Sequence, residues 1–272
     1  MQESLVMEEV FGVKWPVFGM IHLAPLPGSP RYEGSMDAVL ERAERDAEAL
    51  SKAGVNALVI ENFNDDPFYK TTQEPETVAA MTLASHLVSE RTGLPLGLNV
   101  LRNAWKAAMG ISATVGARFI RLNVLTDALL SDQGVIEGQA ADLLRYRQMI
   151  GAQDVLIFAD IESKHGVPLV PRPRSVVAQD MVERGGADAI IVSGASSSDP
   201  VNIAHLQELR QAVPGTPLII GSGMSLKTVE FLRHADATIF GFGAKKHLKA
   251  PVDADMAMKF MDAVRELRQQ GK

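Results

Sequence analysis

Two acidic segments hold the residues of this chain that are best suited to proton transfer. Glu61 begins the run Glu-Asn-Phe-Asn-Asp-Asp-Pro, and Asp160 begins the run Asp-Ile-Glu-Ser-Lys-His. A carboxyl group whose pKa is raised by burial can act as a general acid or a general base. We therefore take Glu61 and Asp160 as the first catalytic candidates, with Lys164 and His165, in the second run, as further candidates.

The second segment allows more than one chemistry. Asp160 and Glu162 are two residues apart, so an extended strand would place both on one face, where they could carry protons or hold Mg²⁺ weakly. Lys164 could neutralise them, or act as an amine nucleophile if its pKa is lowered. The alternative is a charged pair without a chemical role. No other cofactor is evident.

Eight short apolar runs position these residues, with helical pattern, for example over residues 137–150, between them. The runs are Val17–Leu23, Ala57–Asn62, Leu94–Val100, Phe119–Val124, Val155–Glu162, Ala189–Gly194, Pro217–Ser222 and Ala237–Gly243. Eight strand–helix repeats predict an α/β fold, the (β/α)₈ TIM barrel, whose catalytic side chains lie at the C-terminal ends of the strands. Glu61 and Asp160 fall at such ends.

One barrel accounts for the chain length. A barrel needs about 250 residues, so residues 1–272 are predicted as a single domain, with residues 1–16 as an N-terminal arm that could close the bottom of the barrel. Ser35 is the expected N-cap of the first long helix, and Gly54 its expected end.

Alternation along the strands predicts which polar side chains enter the barrel. Between Phe119 and Val124 the apolar residues occupy every second position, so Arg121 and Asn123 point inwards. The same argument turns His22, Asn99 and Ser193 inwards. The inward asparagines, Arg121 and Ser193 are candidate substrate ligands. His22 is a candidate for proton transfer, or a hydrogen-bonded structural group. Arg121 would pair with Asp160, Glu61 or an anionic group of the substrate.

Glycine-bearing loops follow the last two apolar runs. They contain Gly221, Ser222 and Gly223, and then Gly241 and Gly243. Glycines allow close approach of the backbone to an anion, and loops at these places in the barrel often bind phosphate. The alternative is that the glycines only form tight turns. We expect a barrel of the phosphate-binding type.

Composition and net charge limit the classes of partner and cofactor that the chain is expected to bind. The formal net charge of -6 and the lack of a basic block argue against nucleic acid, and no cysteine is available as a nucleophile or metal ligand. No metal-binding spacing of histidines occurs, so a metal site is not predicted. Residues 1–14 lack the features of a signal peptide, and no apolar run reaches the roughly 20 residues of a membrane span. We expect a cytoplasmic protein, with peripheral membrane association and homo-oligomers left open.

The motifs resemble those of the BtpA family from about Val17 to Lys246. The resemblance is carried by the proline-rich segment 19–30 around His22 and by 61–67, 99–103, 121–123, 159–165 and 221–223. It implies a TIM barrel. The family name refers to photosystem I biogenesis, and other members resemble this chain in organisms without photosynthesis.

Two functions are therefore expected. The residues favour an enzyme acting on a small phosphorylated metabolite by acid/base chemistry, of the isomerase or lyase type. The family resemblance implies, as the alternative, a non-enzymatic assembly factor for a membrane complex such as photosystem I.

Overall fold

The strands of the computed structural model begin and end close to the predicted runs. The structure describes residues 6–71, 74–196 and 198–270. The strands are β1 Val17–His22, β2 Ala57–Glu61, β3 Leu96–Asn99, β4 Phe119–Leu122, β5 Ala128–Ser131, β6 Gly134–Glu137, β7 Leu156–Asp160, β8 Gly166–Pro168, β9 Ala189–Val192, β10 Leu218–Ile220 and β11 Ala237–Phe240. Eight of them, one from each predicted run, close into a parallel barrel in the order β1-β11-β10-β9-β7-β4-β3-β2. The predicted (β/α)₈ fold is confirmed.

Helices surround the barrel. They are α1 Met7–Phe11, α2 Met36–Ala53, α3 Pro75–Thr92, α4 Trp105–Val115, α5 Ala140–Met149, α6 Arg174–Gln179, α7 Ile203–Ala212 and α8 Ala254–Gln270, with a π-helical turn at Asp180–Arg184 and 3₁₀ turns at Val229–His234 and Phe242–Ala244. The side chain of Ser35 accepts a hydrogen bond from the N–H of Ala38, and Gly54 ends α2 in a left-handed conformation. Both predicted ends of this helix are correct.

The alternation of the strands divides the core into an inner and an outer layer. Phe18, Phe119 and Phe158 are fully buried and meet inside the barrel, with ring centroids 4.6–6.1 Å apart. Neighbouring residues such as Ile157 face outwards and pack against the helices. Phe11 of the N-terminal arm packs on Phe18 from below, at 4.7 Å between centroids. The arm therefore closes the bottom of the barrel and leaves the C-terminal ends of the strands as the open mouth.

Two sequence predictions fail beside the mouth. β5 and β6 form a hairpin that pairs with β8 in a second, three-stranded antiparallel sheet, so the helix expected from Glu137 begins at Ala140 instead. Glu162 does not enter the barrel, because β7 ends at Asp160 and alternation ends with it. The side chain of Glu162 is half-exposed and pairs with Arg174 at 2.8 Å.

Candidate active site

A cavity of about 470 Å³ opens at the C-terminal ends of the barrel strands. Polar side chains from several strands and loops reach it, beside the two glycine-bearing loops. Those of the predicted residues that line it are His22, Glu61, Arg121, Asn123, Lys164, His165, Gly221, Ser222, Gly223, Gly241 and Gly243. Asp160, Asn99 and Ser193 do not line it.

Glu61 is the buried acid of this cavity. It is the last residue of β2 and is 6% exposed. Burial raises the pKa of its carboxyl group, although the positive charge of Arg121 acts in the opposite direction. The closest basic groups are Nε2 of His22, at 3.6 Å, and a terminal nitrogen of Arg121, at 3.9 Å. Both contacts are longer than a hydrogen bond, so the raised pKa of Glu61 makes this carboxyl group a candidate for proton exchange.

His22, the last residue of β1, lies beside Glu61 and is held from both sides. Its ring stacks on Phe63, and its Nδ1 lies 2.8 Å from Nζ of Lys245. Burial and the neighbouring positive charges lower the pKa of His22 well below its usual value. Burial also lowers the pKa of Lys245 to about 8, so the ammonium still predominates at pH 7. It donates to Nδ1, which leaves the imidazole proton of neutral His22 on Nε2, towards Glu61.

Asp160 has a different environment from Glu61. Arg121 donates to both of its carboxylate oxygens, at 3.1 and 3.2 Å from one nitrogen, and Asn123 donates at 2.7 Å. The inward orientation of Arg121 and Asn123 agrees with the alternation of the strands. Asp160 is thus the counter-ion of Arg121, and it does not line this cavity.

Lys164 and His165 reach the mouth from the loop after β7. Lys164 is half-buried and His165 is exposed. Burial lowers the pKa of Lys164 to about 8, where ammonium and free amine are both present near neutral pH. The amine can therefore act either as a cation or as a nucleophile.

The two remaining polar candidates lie below the cavity. Asn99 donates from its side-chain amide to the backbone carbonyl of Arg121, at 3.1 Å. Ser193 is buried, and its hydroxyl lies directly beneath Gly221, where an added methyl group would approach it to 2.6 Å. Both side chains support the floor of the mouth.

The glycine loops meet on one side of the cavity. Among the described residues, no hydrogen bond engages the backbone N–H groups of Gly223 and Met224. Gly223 has a φ of +72°, and an added Cβ would lie 2.2 Å from the carbonyl oxygen of Asp199. A side chain is therefore excluded at Gly223, and the free N–H groups of this loop are available to an anion.

Two basic residues of the cavity region were not predicted from the sequence. Arg102 follows β3 and lines the cavity, while Lys245 follows β11 and contacts His22. Both lie beyond the last residue of a strand, where alternation makes no prediction. Their position in the sequence could have indicated them, because each follows the C-terminal end of a barrel strand, where site residues lie in this fold.

Within residues 6–71, 74–196 and 198–270, no group of three or more histidine, aspartate or glutamate side chains could hold a metal ion. In the same ranges, no helix is long and apolar enough to cross a membrane.

Known proteins resemble the chain over nearly its whole length. It is 40% identical to the photosystem I biogenesis protein BtpA of Synechocystis, over 95% of this chain and 91% of the relative. It is also 40% identical to an uncharacterized protein of Thermococcus kodakarensis, over 93% of this chain and 97% of the relative.

Solved structures share the barrel at much lower identity. N-(5'-phosphoribosyl)anthranilate isomerase from Pyrococcus furiosus superposes with a TM-score of 0.53 at 11% identity, covering 93% of this chain and 99% of that chain. This likeness concerns the fold. The BtpA family model matches residues 13–266, which include every element from β1 through most of α8. With this match and the two relatives, the chain belongs to the BtpA family.

Proposed function

We propose that the chain is an enzyme that moves protons on a small phosphorylated metabolite, in a reaction of the isomerase or lyase type. One observation carries the proposal: a single cavity joins a glycine-rich side with free N–H groups to a buried carboxyl group whose pKa is raised. Binding and proton transfer could then occur on one small molecule.

The glycine side would hold the phosphate. Gly223 and Met224 line the cavity, and their backbone N–H groups make no hydrogen bond within the described residues. These N–H groups could donate to the oxygens of a bound phosphate, and Gly223 has no side chain to block it. In (β/α)₈ barrels the loops after the last two strands are a frequent phosphate site. The fold is also that of an isomerase whose name includes a phosphoribosyl group, which supports the proposal at the level of the fold.

Glu61 would transfer the proton. Its raised pKa allows it to be ionised before it accepts a proton from carbon and neutral afterwards. Neutral His22 would donate from Nε2, either to Glu61 or to a substrate oxygen. Lys164, as an ammonium, would supply positive charge for an anionic group of the substrate in the same cavity. Asp160 would act through Arg121 and Asn123, whose positions it sets.

The test measures phosphate binding by the wild-type protein and by a variant in which a side chain fills the glycine side of the cavity. Inorganic phosphate should raise the melting temperature of the wild-type protein, because it binds only the folded state. In Gly241→Val the shift should disappear, since the new side chain occupies the cavity. Its Cβ would meet nothing closer than Met20, at 3.2 Å, so we expect the fold to persist.

The control is Ala204→Val, which introduces the same side chain on the exposed face of α7 and should keep the phosphate shift. A wild-type protein that gives no shift with phosphate, or a Gly241→Val variant that shifts like the wild type, would contradict the phosphate site. Circular dichroism should confirm that both variants are folded.

The name of the Synechocystis relative favours a second candidate, an assembly factor for a membrane complex. Exposed apolar side chains beside the mouth could bind a partner in that case; they are Leu130, Val167, Leu169 and Val170. Charged replacements of Val167 and Val170 separate the two functions. They should abolish partner binding in an assembly factor and leave the phosphate-dependent melting shift unchanged in an enzyme.

A further inference from the structure

Arg102 is a buried cation without an acidic partner. It is 7% exposed and lines the cavity. One terminal nitrogen donates to the hydroxyl of Ser163, at 2.9 Å, and to the backbone carbonyl of Lys164. Its Nε has no hydrogen-bond partner, and among the described residues no carboxylate lies within 4 Å of the guanidinium group. An unpaired buried charge is unfavourable, so an anion from outside would complete this site.

The acids nearest to Arg102 make their short contacts with other groups. Asp160 is bound by Arg121 and Asn123. Asp132, on the hairpin, lines the same cavity but is exposed and contacts Gln133. Glu61 approaches His22 and Arg121 instead. These three acids act on Arg102 at longer range, and none of them forms an ion pair with it.

Lys164 adds a second cation at the same place. Its backbone carbonyl accepts from Arg102, and its side chain reaches the same cavity. Within the described part of the chain no carboxylate lies within 4 Å of Nζ of Lys164 either. The two cations thus lie next to each other on one wall of the mouth, and Ser163 holds Arg102 in place.

Arg102 lies across the barrel from the glycine loops. Arg102 follows β3, and Gly223 follows β10. In the closed order β1-β11-β10-β9-β7-β4-β3-β2, these two strands are separated by three others in either direction. Lys164 follows β7, which β9 separates from β10. Glu61, at the end of β2, lines the same cavity as Arg102 and Gly223. A ligand that spans this cavity from Arg102 to Gly223 can therefore lie beside Glu61.

We propose that Arg102 and Lys164 form a second anion site, which receives a carboxylate at the end of the substrate opposite to its phosphate. The substrate class is then a phosphorylated carboxylic acid, held at both ends with its middle carbons beside Glu61. Guanidinium and carboxylate pair strongly because their hydrogen bonds are charge-assisted. The inference rests on the proposed function, since it takes the glycine loops as the phosphate side.

Matched ligand pairs test the second site. We would measure by calorimetry the affinity of the wild-type protein for phosphorylated aldonic acids of increasing length and for the polyol phosphates that differ only by a hydroxymethyl group in place of the carboxylate. One pair is 3-phosphoglycerate and glycerol 3-phosphate; another is 6-phosphogluconate and glucitol 6-phosphate. At least one acid should bind tighter than its polyol by about tenfold or more, which corresponds to about 1.4 kcal/mol.

Variants assign that difference to the proposed residues. Arg102→Met should bring the acid and the polyol phosphate to nearly equal affinity while polyol binding persists, and Arg102→Lys should restore part of the preference. The control Arg233→Met removes a surface arginine that pairs with Glu230 and should behave like the wild type. Both Arg102 variants can be checked for folding by their binding of the polyol phosphate.

Different results would contradict the second anion site and the proposed function. Equal affinities for acid and polyol in every pair, or a full preference kept by Arg102→Met, would overturn the second anion site and leave the phosphate site standing. A wild-type protein that binds neither inorganic phosphate nor any polyol phosphate would overturn the proposed function, and the second site with it.

Discussion

Two carboxyl groups at the mouth differ in the charges around them. Asp160 accepts hydrogen bonds from Arg121 and Asn123 and is thereby kept as a counter-ion. Glu61 is equally buried, but its shortest contacts to basic groups are 3.6 and 3.9 Å long. The two carboxyl groups thus differ in their contacts: an arginine and an amide hold Asp160, whereas burial raises the pKa of Glu61. Alternation along the strands places both in the barrel but does not distinguish them.

The raised pKa of Glu61 predicts a pH-dependent stability. A group whose pKa is higher in the folded state stabilises the protein below its unfolded pKa, near 4.3, and this contribution is lost as the pH rises through the folded value. Replacing Glu61 with Gln removes the titration. Relative to the wild type, Glu61→Gln should therefore gain free energy of unfolding as the pH rises above about 4.3. Urea denaturation at several pH values measures this.

The control for this titration is Glu48→Gln, at an exposed acid that pairs with Lys52 on α2. Its stability relative to the wild type should stay nearly constant over the same range. A Glu61→Gln variant that follows the wild type at every pH would show that the Glu61 carboxyl group titrates as it does in the unfolded chain.

The contact between Lys245 and His22 predicts that a change at Lys245 will alter the pKa of His22. Burial lowers the pKa of His22 most, and the charge of Lys245 contributes next. In Lys245→Met that charge is lost, so the pKa of His22 should rise towards its usual value. Nuclear magnetic resonance of the imidazole protons measures it. The control Lys52→Met, at an exposed lysine, should leave His22 unchanged, and an unchanged titration in Lys245→Met would contradict the contact.

At the level of elements, the neighbouring strands β4 and β7 are also linked inside the barrel by the ion pair of Arg121 and Asp160. Replacing Arg121 with Leu leaves a buried carboxylate with one amide donor, which should cost about 3–5 kcal/mol of unfolding free energy. Urea denaturation measures the loss. Arg118→Leu, at an exposed position just before β4, is the matched control. If both variants lose the same amount, the ion pair contributes nothing specific.

The elements of the barrel were predictable because each carries a continuous apolar run between helical patterns. The second sheet was not. β5 and β6 are four residues each, and β5 pairs with β8, which lies more than 30 residues further along the chain. Short strands with few buried side chains give little local signal, and their pairing depends on contacts that only the folded barrel creates. Arg102 and Lys245 were not predicted for a related reason, since residues in loops do not follow the two-residue alternation of a strand.

At the scale of the whole molecule, the N-terminal arm contributes to the stability of the barrel from below. Phe11 of α1 packs on Phe18 and Phe119. Phe11→Ala should lower the free energy of unfolding by about 2 kcal/mol, less than a fully buried phenylalanine would cost, because Phe11 is half-buried. Glu9→Ala, on the exposed side of α1, is the control. Equal stability of Phe11→Ala and the wild type would mean that the arm does not pack there in solution.

The closed bottom also has a consequence for ligand binding. With α1 covering one end, the cavity of about 470 Å³ opens at the mouth, among the residues that the structure describes. For the proposed enzyme, substrate and product would then occupy this cavity in turn, and a product analogue should displace a bound substrate analogue in a calorimetric titration. Two analogues that bind at the same time without displacing each other would contradict a shared cavity.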